Sequence, residues 1–131
     1  MIFAMNTSGD STQFWLLDDK SSASPVTTSW NSGRTLADEL LGRITQFLHH
    51  SEVAFGRLTG IIVFSGPGSF TSLRIGHSVA NALGDSLAIP VQGARGDDWL
   101  DKGVEALKKA PANQLALPYY GAEANISKLK T

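Results

Sequence analysis

Residues 60–64, GIIVF, run directly into residues 65–76, SGPGSFTSLRIG, and the reading of this join decides the fold. The first piece is a continuous apolar, β-branched run, the pattern of a strand buried on both faces. The second opens as a glycine-rich turn and becomes helical by about Ser72. A strand–glycine turn–helix junction is a familiar phosphate cradle, so two nucleotide fingerprints bear on it. A dinucleotide fingerprint needs a third glycine at position 71, where threonine stands. A Walker loop needs a lysine after its last glycine, and no lysine occurs between 60 and 101. Orphan amides at the helix start could still attract an anion, with Ser69 or Thr71 otherwise supplying the cap. Pro67 fixes φ and the glycines at 66 and 68 permit positive φ, so a structural turn is the stronger reading.

Outward from this junction the chain is a β-β-β-α-β-α-β-α series. Residues 1–7 form an apolar strand that ends at Thr7-Ser8-Gly9-Asp10, and 12–18 a second strand joined by a hairpin turn. Residues 25–30 are a weaker third strand, with Pro25 at its first position. From Thr35 to His49 the period becomes helical: Leu36, Ala37, Leu40, Leu41, Ile44, Phe47 and Leu48 make one broad stripe. Thr35 and Asp38 have the spacing of a capping box. A second helix over 72–87 carries Leu73, Ile75, Gly76, Val79, Ala80, Ala82, Leu83 and Leu87. These cover more than half its circumference, more than a helix resting on a sheet needs. Residues 88–91 read as a short strand and 97–110 as an amphipathic helix, acidic at its start and basic at its end. Early hairpins followed by alternation imply an α/β fold with a mixed five-stranded sheet flanked by helices.

Composition excludes several classes. The 131 residues are 42% apolar with a net charge of −1, enough for one core and without the basic surface of an autonomous nucleic-acid binder. Lys108-Lys109 and Lys128/Lys130 read as a solvated helix end and tail. With no cysteine there is no disulfide, thiolate metal site or cysteine nucleophile. Met1-Ile-Phe-Ala-Met5 turns polar at Asn6 without a basic leader, so a cytoplasmic location and no membrane contact are expected. His49-His50 and His77 lack partners at metal-ligand spacing, and His77 falls on the polar arc of the second helix. Asp18-Asp19 and Asp97-Asp98 sit at turn or cap positions, and no serine lies in a Gly-x-Ser-x-Gly elbow.

Taken whole, SGPGSFTSLRIG closely resembles the Gly-Pro-Gly-Ser-Phe-Thr-Gly-Leu-Arg-Ile-Gly signature of the TsaB (YeaZ) family. The opening strand running into Asn6-Thr7-Ser8 and the segment Ile89-Pro-Val-Gln-Gly93 fit the same family, and Pro118-Tyr-Tyr120 is similar to its C-terminal Pro-x-Tyr segment. Ser72 stands where glycine is usual and Asn6 where aspartate is usual. The resemblance implies the first subdomain of an actin-like (ribonuclease H-like) ATPase fold over residues 1–93. Residues 94–131, a short helix and tail, then replace most of a second subdomain.

The resemblance also implies a function: a non-catalytic subunit in the formation of threonylcarbamoyladenosine on tRNA, reaching tRNA only through its complex. The expected partners are a TsaD homologue, which carries ATP and metal, and a TsaE homologue, with homodimerisation when the chain is alone. No cofactor is expected in this chain itself. Family docking uses the first two helices, which accounts for the over-apolar second one. The partner face is therefore expected at Leu36, Leu40, Ile44 and Phe47 on the first helix and Leu73, Gly76, Ala80 and Leu83 on the second. Gly66, Pro67, Gly68, Ser69, Phe70, Thr71 and Arg74 form the motif turn that sets the second helix's exit angle. The alternative is a small α/β enzyme or binding module holding a phosphorylated ligand at Gly66–Thr71.

Overall fold

The computed structural model describes residues 1–20 and 24–118. Five strands form one sheet: β1 (Ile2–Asn6), β2 (Ser11–Leu17), β3 (Val26–Asn31), β4 (Gly60–Phe64) and β5 (Val91–Ala94), in the order β3-β2-β1-β4-β5. The two hairpins pair antiparallel, whereas β4 runs parallel to β1 and β5 parallel to β4. Helices α1 (Leu36–His50) and α2 (Phe70–Leu87) cover one face, and α3 (Trp99–Leu107) covers the other.

Strand alternation explains the two layers. In β1, Phe3 and Met5 point to the α1/α2 side while Ile2 and Ala4 point to the α3 side; in β4, Ile61 and Val63 oppose Ile62 in the same way. Central strands buried on both faces must be apolar at every position, which is why 60–64 carries no polar side chain. The edge-ward β2 alternates instead: Thr12, Phe14 and Leu16 are buried under the helices, and Gln13 is exposed. Phe3, Phe14 and Phe47 pack together, with ring centroids 5.2 Å (Phe3–Phe14) and 5.6 Å (Phe14–Phe47) apart. On the opposite face Trp99 meets Trp15 edge-on at 5.2 Å and Phe64 at 5.5 Å.

Several local expectations are corrected. The last strand is Val91–Ala94 rather than 88–91, because Ala88 ends α2 in the left-handed conformation and Ile89 N donates back to the Gly84 carbonyl. Thr35 makes no capping box with Asp38: its hydroxyl lies 2.8 Å from both the Ser32 carbonyl and a Glu39 carboxylate oxygen, which share its one proton, inside a short 3-10 turn at Gly33–Thr35. A second such turn, Phe55–Arg57, precedes β4. The α2 helix starts at Phe70, two residues before the expected Ser72. The expected division after residue 93 falls inside β5, and the residues beyond it pack onto the same sheet. Gly103 of α3 lies so close to Ile62 that an added Cβ would sit 2.5 Å from its Cγ2. Ala116 joins the core under α2, and the Gln114 carbonyl accepts from Val91 N. Residues 94–118 are thus part of the one packing unit; the tail from Tyr119-Tyr120 through Lys128 and Lys130 lies outside the described residues.

Candidate functional site

The glycine turn is held against the turn between β1 and β2. Gly66 has a φ of +108°, a conformation that favours glycine. Gly68 lies against Ser8: an added Cβ would come within 2.5 Å of the Ser8 Cβ and 2.7 Å of its carbonyl oxygen. Ser69 N donates to that same carbonyl at 2.8 Å, and the Ser69 hydroxyl caps α2 by accepting from Ser72 N at 3.3 Å. Thr7, fully buried, donates its hydroxyl to the Ser72 carbonyl at 2.9 Å. Two amides that an anion would need are therefore committed within the chain. The turn joins the first strand's end to the second helix's start, and so fixes the helix on the sheet.

The structure brings the eight expected partner-face residues together, but inside the protein. Leu36, Leu40, Ile44, Phe47, Leu73 and Ala80 are buried, as is Gly76, whose Cα faces the Thr7 side chain. Leu83 is half-buried against the same core. The apolar stripe is real, but the sheet's own Phe3, Met5, Phe14 and Val63 consume its centre. The margins of the stripes are less covered, and Ala82 on α2 is exposed. Ala37 and Leu41 face out on α1, Leu41 with 53% of its surface exposed. On α2, Ile75 and Val79 are half-buried, one turn apart on one side.

Between the helices, Ala37, Thr71, Arg74, Ile75, Ser78 and Val79 line a shallow groove of about 370 Å³. Of the motif residues, Thr71 and Arg74 reach this groove, and Phe70, half exposed, lies under the Arg74 guanidinium at 5.4 Å. Gly66 is buried, while Pro67, Gly68 and Ser69 are exposed at the turn. Sequence reasoning missed Ala37 and Leu41 as surface positions. The signal was present in the width of the stripes, since a stripe wider than a sheet can cover leaves its margins in water.

Two ionisable groups near these helices are perturbed. Glu39 is held below the ordinary carboxylate value, chiefly by the Thr35 hydroxyl, against an opposing effect of burial, with Trp30 Nε1 and the Arg43 charge adding smaller lowering effects. His77 is not on a polar arc but buried at 3% exposure. Burial lowers its pKa, partly offset by the hydrogen bond its Nδ1 donates to the Leu73 carbonyl at 2.8 Å. Its Nε2 has no hydrogen-bond partner. Among the described residues no three His, Asp or Glu side chains gather as a metal cluster, and no helix is long and apolar enough to cross a membrane.

Comparison with known proteins places this geometry. A family model described as TsaD, tRNA N6-adenosine threonylcarbamoyltransferase, matches residues 31–95, from the end of β3 through α1, β4, the glycine turn and α2 to β5. Among solved structures, YeaZ from Pseudomonas aeruginosa superposes with a TM-score of 0.65 at 26% identity, over 72% of this chain and 43% of that one. A second structure, an uncharacterized protein with similarity to peptidase YeaZ from Pseudomonas aeruginosa, gives 0.66 at 26% identity, over 72% and 42%. An uncharacterized protein of Mycobacterium leprae (strain TN) is 39% identical over 56 residues, 43% of this chain and 16% of that protein. The chain therefore spans less than half the length of each of these proteins.

Proposed function

We propose that this chain, TsaB (YeaZ)-like in its signature and in its actin-like, ribonuclease H-like fold, serves tRNA threonylcarbamoyladenosine formation as an accessory, docking subunit. Support for the process comes from the YeaZ likeness and the TsaD-family match together. Support for docking comes from one observation: apolar surface at Leu41, Ala37, Ile75 and Val79 remains after the core is full, flanking a groove between the two helices. The partner is a TsaD homologue, whose own two helices would lie across α1 and α2 as ridges into grooves, with Arg74 at the rim available to a partner carboxylate. A TsaE homologue joins through that complex, nucleotide and metal belong to the partner, and a second copy of this chain takes the groove when no partner is present. The cytoplasm is where such a complex would work.

The test is co-expression with the TsaD homologue of the same organism, followed by affinity capture and mass measurement of the complex. A stoichiometric complex is expected for the native chain and its loss for Leu41→Glu and Val79→Glu, both checked as folded by circular dichroism. A complex that survives both charges sinks the assignment of the groove. Calorimetric titration with ATP, ADP and AMP addresses the phosphorylated-ligand alternative. Saturable micromolar binding, abolished by Gly68→Val with the fold retained, would favour that alternative.

A further inference from the structure

The opposite margin of α1 carries a second groove, unrelated to the inter-helix one. It lies between α1 and β3 and encloses about 380 Å³. Phe14, Trp30 and Phe47 form its floor, and Arg43, Gln46 and His50 its helix-side rim. The lining contains no Asp or Glu. The Arg43 guanidinium stacks 4.9 Å above the Trp30 ring, which holds it at the groove mouth, with Glu39 of the preceding turn facing it from outside the lining. Nearby Glu39 is occupied by Thr35 and Trp30 Nε1.

The strand beside this groove is an end strand. β3 pairs with β2 on one side, and among the described residues no further strand lies on the other. Natural sheets blunt such edges with charge, bulges or proline within the strand. Val26-Thr-Thr-Ser-Trp-Asn31 has none of these: it is uncharged, rich in β-branched residues, and exposed at every position but Trp30. An open strand edge flanked by a helix, with an aromatic-floored slot between them, is the arrangement by which a sheet accepts an added peptide strand. Backbone pairing then supplies affinity and the slot reads alternate side chains.

We propose that the β3 edge and the β3–α1 groove together bind an extended segment of a partner protein, with the pattern apolar-x-acidic. The apolar side chain fills the slot over Phe14, Trp30 and Phe47. The acidic one, two residues along and therefore on the same face of the added strand, meets Arg43 and His50. The Arg43 charge at the rim, with no acidic residue in the lining itself, favours this pattern over an apolar-x-basic one.

The probe is a synthetic acetylated heptapeptide, Thr-Val-Thr-Phe-Thr-Glu-Thr, titrated into the full chain and followed by backbone amide and Trp30 indole NMR shifts. Expected are saturable binding, shifts and slowed amide exchange at residues 26–31, about tenfold weaker binding by Arg43→Ala, and a similar loss when the peptide's Glu is changed to Lys. Exposed Thr28→Lys should also weaken it without unfolding the chain. Shifts absent from 26–31, or Glu and Lys peptides binding alike, overturn the proposal. So does a homodimer seen by sedimentation that dissociates with Thr28→Lys, which would assign the edge to a second copy instead.

Discussion

The backbone N–H of Ser69 donates to the carbonyl of Ser8 across 2.8 Å, tying the first turn of α2 to the loop that succeeds β1. These residues are 61 positions apart in the chain, yet their contact sets where α2 leaves the sheet. Gly68 makes the approach possible because a side chain there would collide with Ser8 backbone as well as its Cβ. Gly68→Val is therefore expected to lower stability by about 1–3 kcal/mol, the usual cost of forcing extra carbons into a filled space. Urea denaturation at neutral pH measures it; an unchanged midpoint would mean the turn yields freely.

Ala80 and Leu41 make opposite predictions for the same substitution. Ala80 is fully buried, so Ala80→Glu places an unpaired carboxylate in the core and is expected to unfold the protein, at about 3–5 kcal/mol. Leu41 is half in solvent, so Leu41→Glu is expected to stay within about 0.5 kcal/mol of the native chain while losing its partner. Thermal denaturation of both variants separates core from surface on these helices. A folded Ala80→Glu variant would contradict the packing described.

Acid sensitivity is expected to centre on His77. Its folded-state pKa lies below the ordinary 6.5, so the folded chain binds fewer protons there than the unfolded chain. Stability is then fully present above about pH 6.5 and is lost as pH falls from that value through the lowered one. Glu39 and Asp19 also have lowered values, from 4.5 and 3.8, so their contributions are lost only at still lower pH. Unfolding free energy measured from pH 7.5 to 5 should slope downward toward acid in the native chain and lie flatter in His77→Phe. Parallel slopes would remove His77 as the cause.

Trp99 anchors α3 to the sheet through Trp15 and Phe64. Trp99→Ala is expected to cost about 3–5 kcal/mol, as for other buried aromatic truncations. Chemical denaturation checks this, and a cost under about 1 kcal/mol would mean that α3 is an appendage rather than a layer of the fold.

By itself the sequence determined the element order and the burial of the central strand. The unbroken apolar run at 60–64 required burial on both faces, and the Gly9-Asp10-Ser11 turn set a second strand beside the first as a hairpin. It also carried the signature that relates the chain to YeaZ, because a glycine turn with a fixed Pro and cap is written locally. Only the tertiary structure decided which margin of each helix faces water. Helical period marks Leu36, Leu40 and Leu41 alike as apolar, but the sheet can cover only the first two, and Leu41 is left outside. His77 reads as polar in any periodic pattern, yet lies buried with one ring nitrogen unpaired. Where the segment after residue 93 packs is decided in the same way. Trp99 and Ala116 reach the sheet through contacts distant in sequence, and no local pattern reports which layer an amphipathic helix will complete.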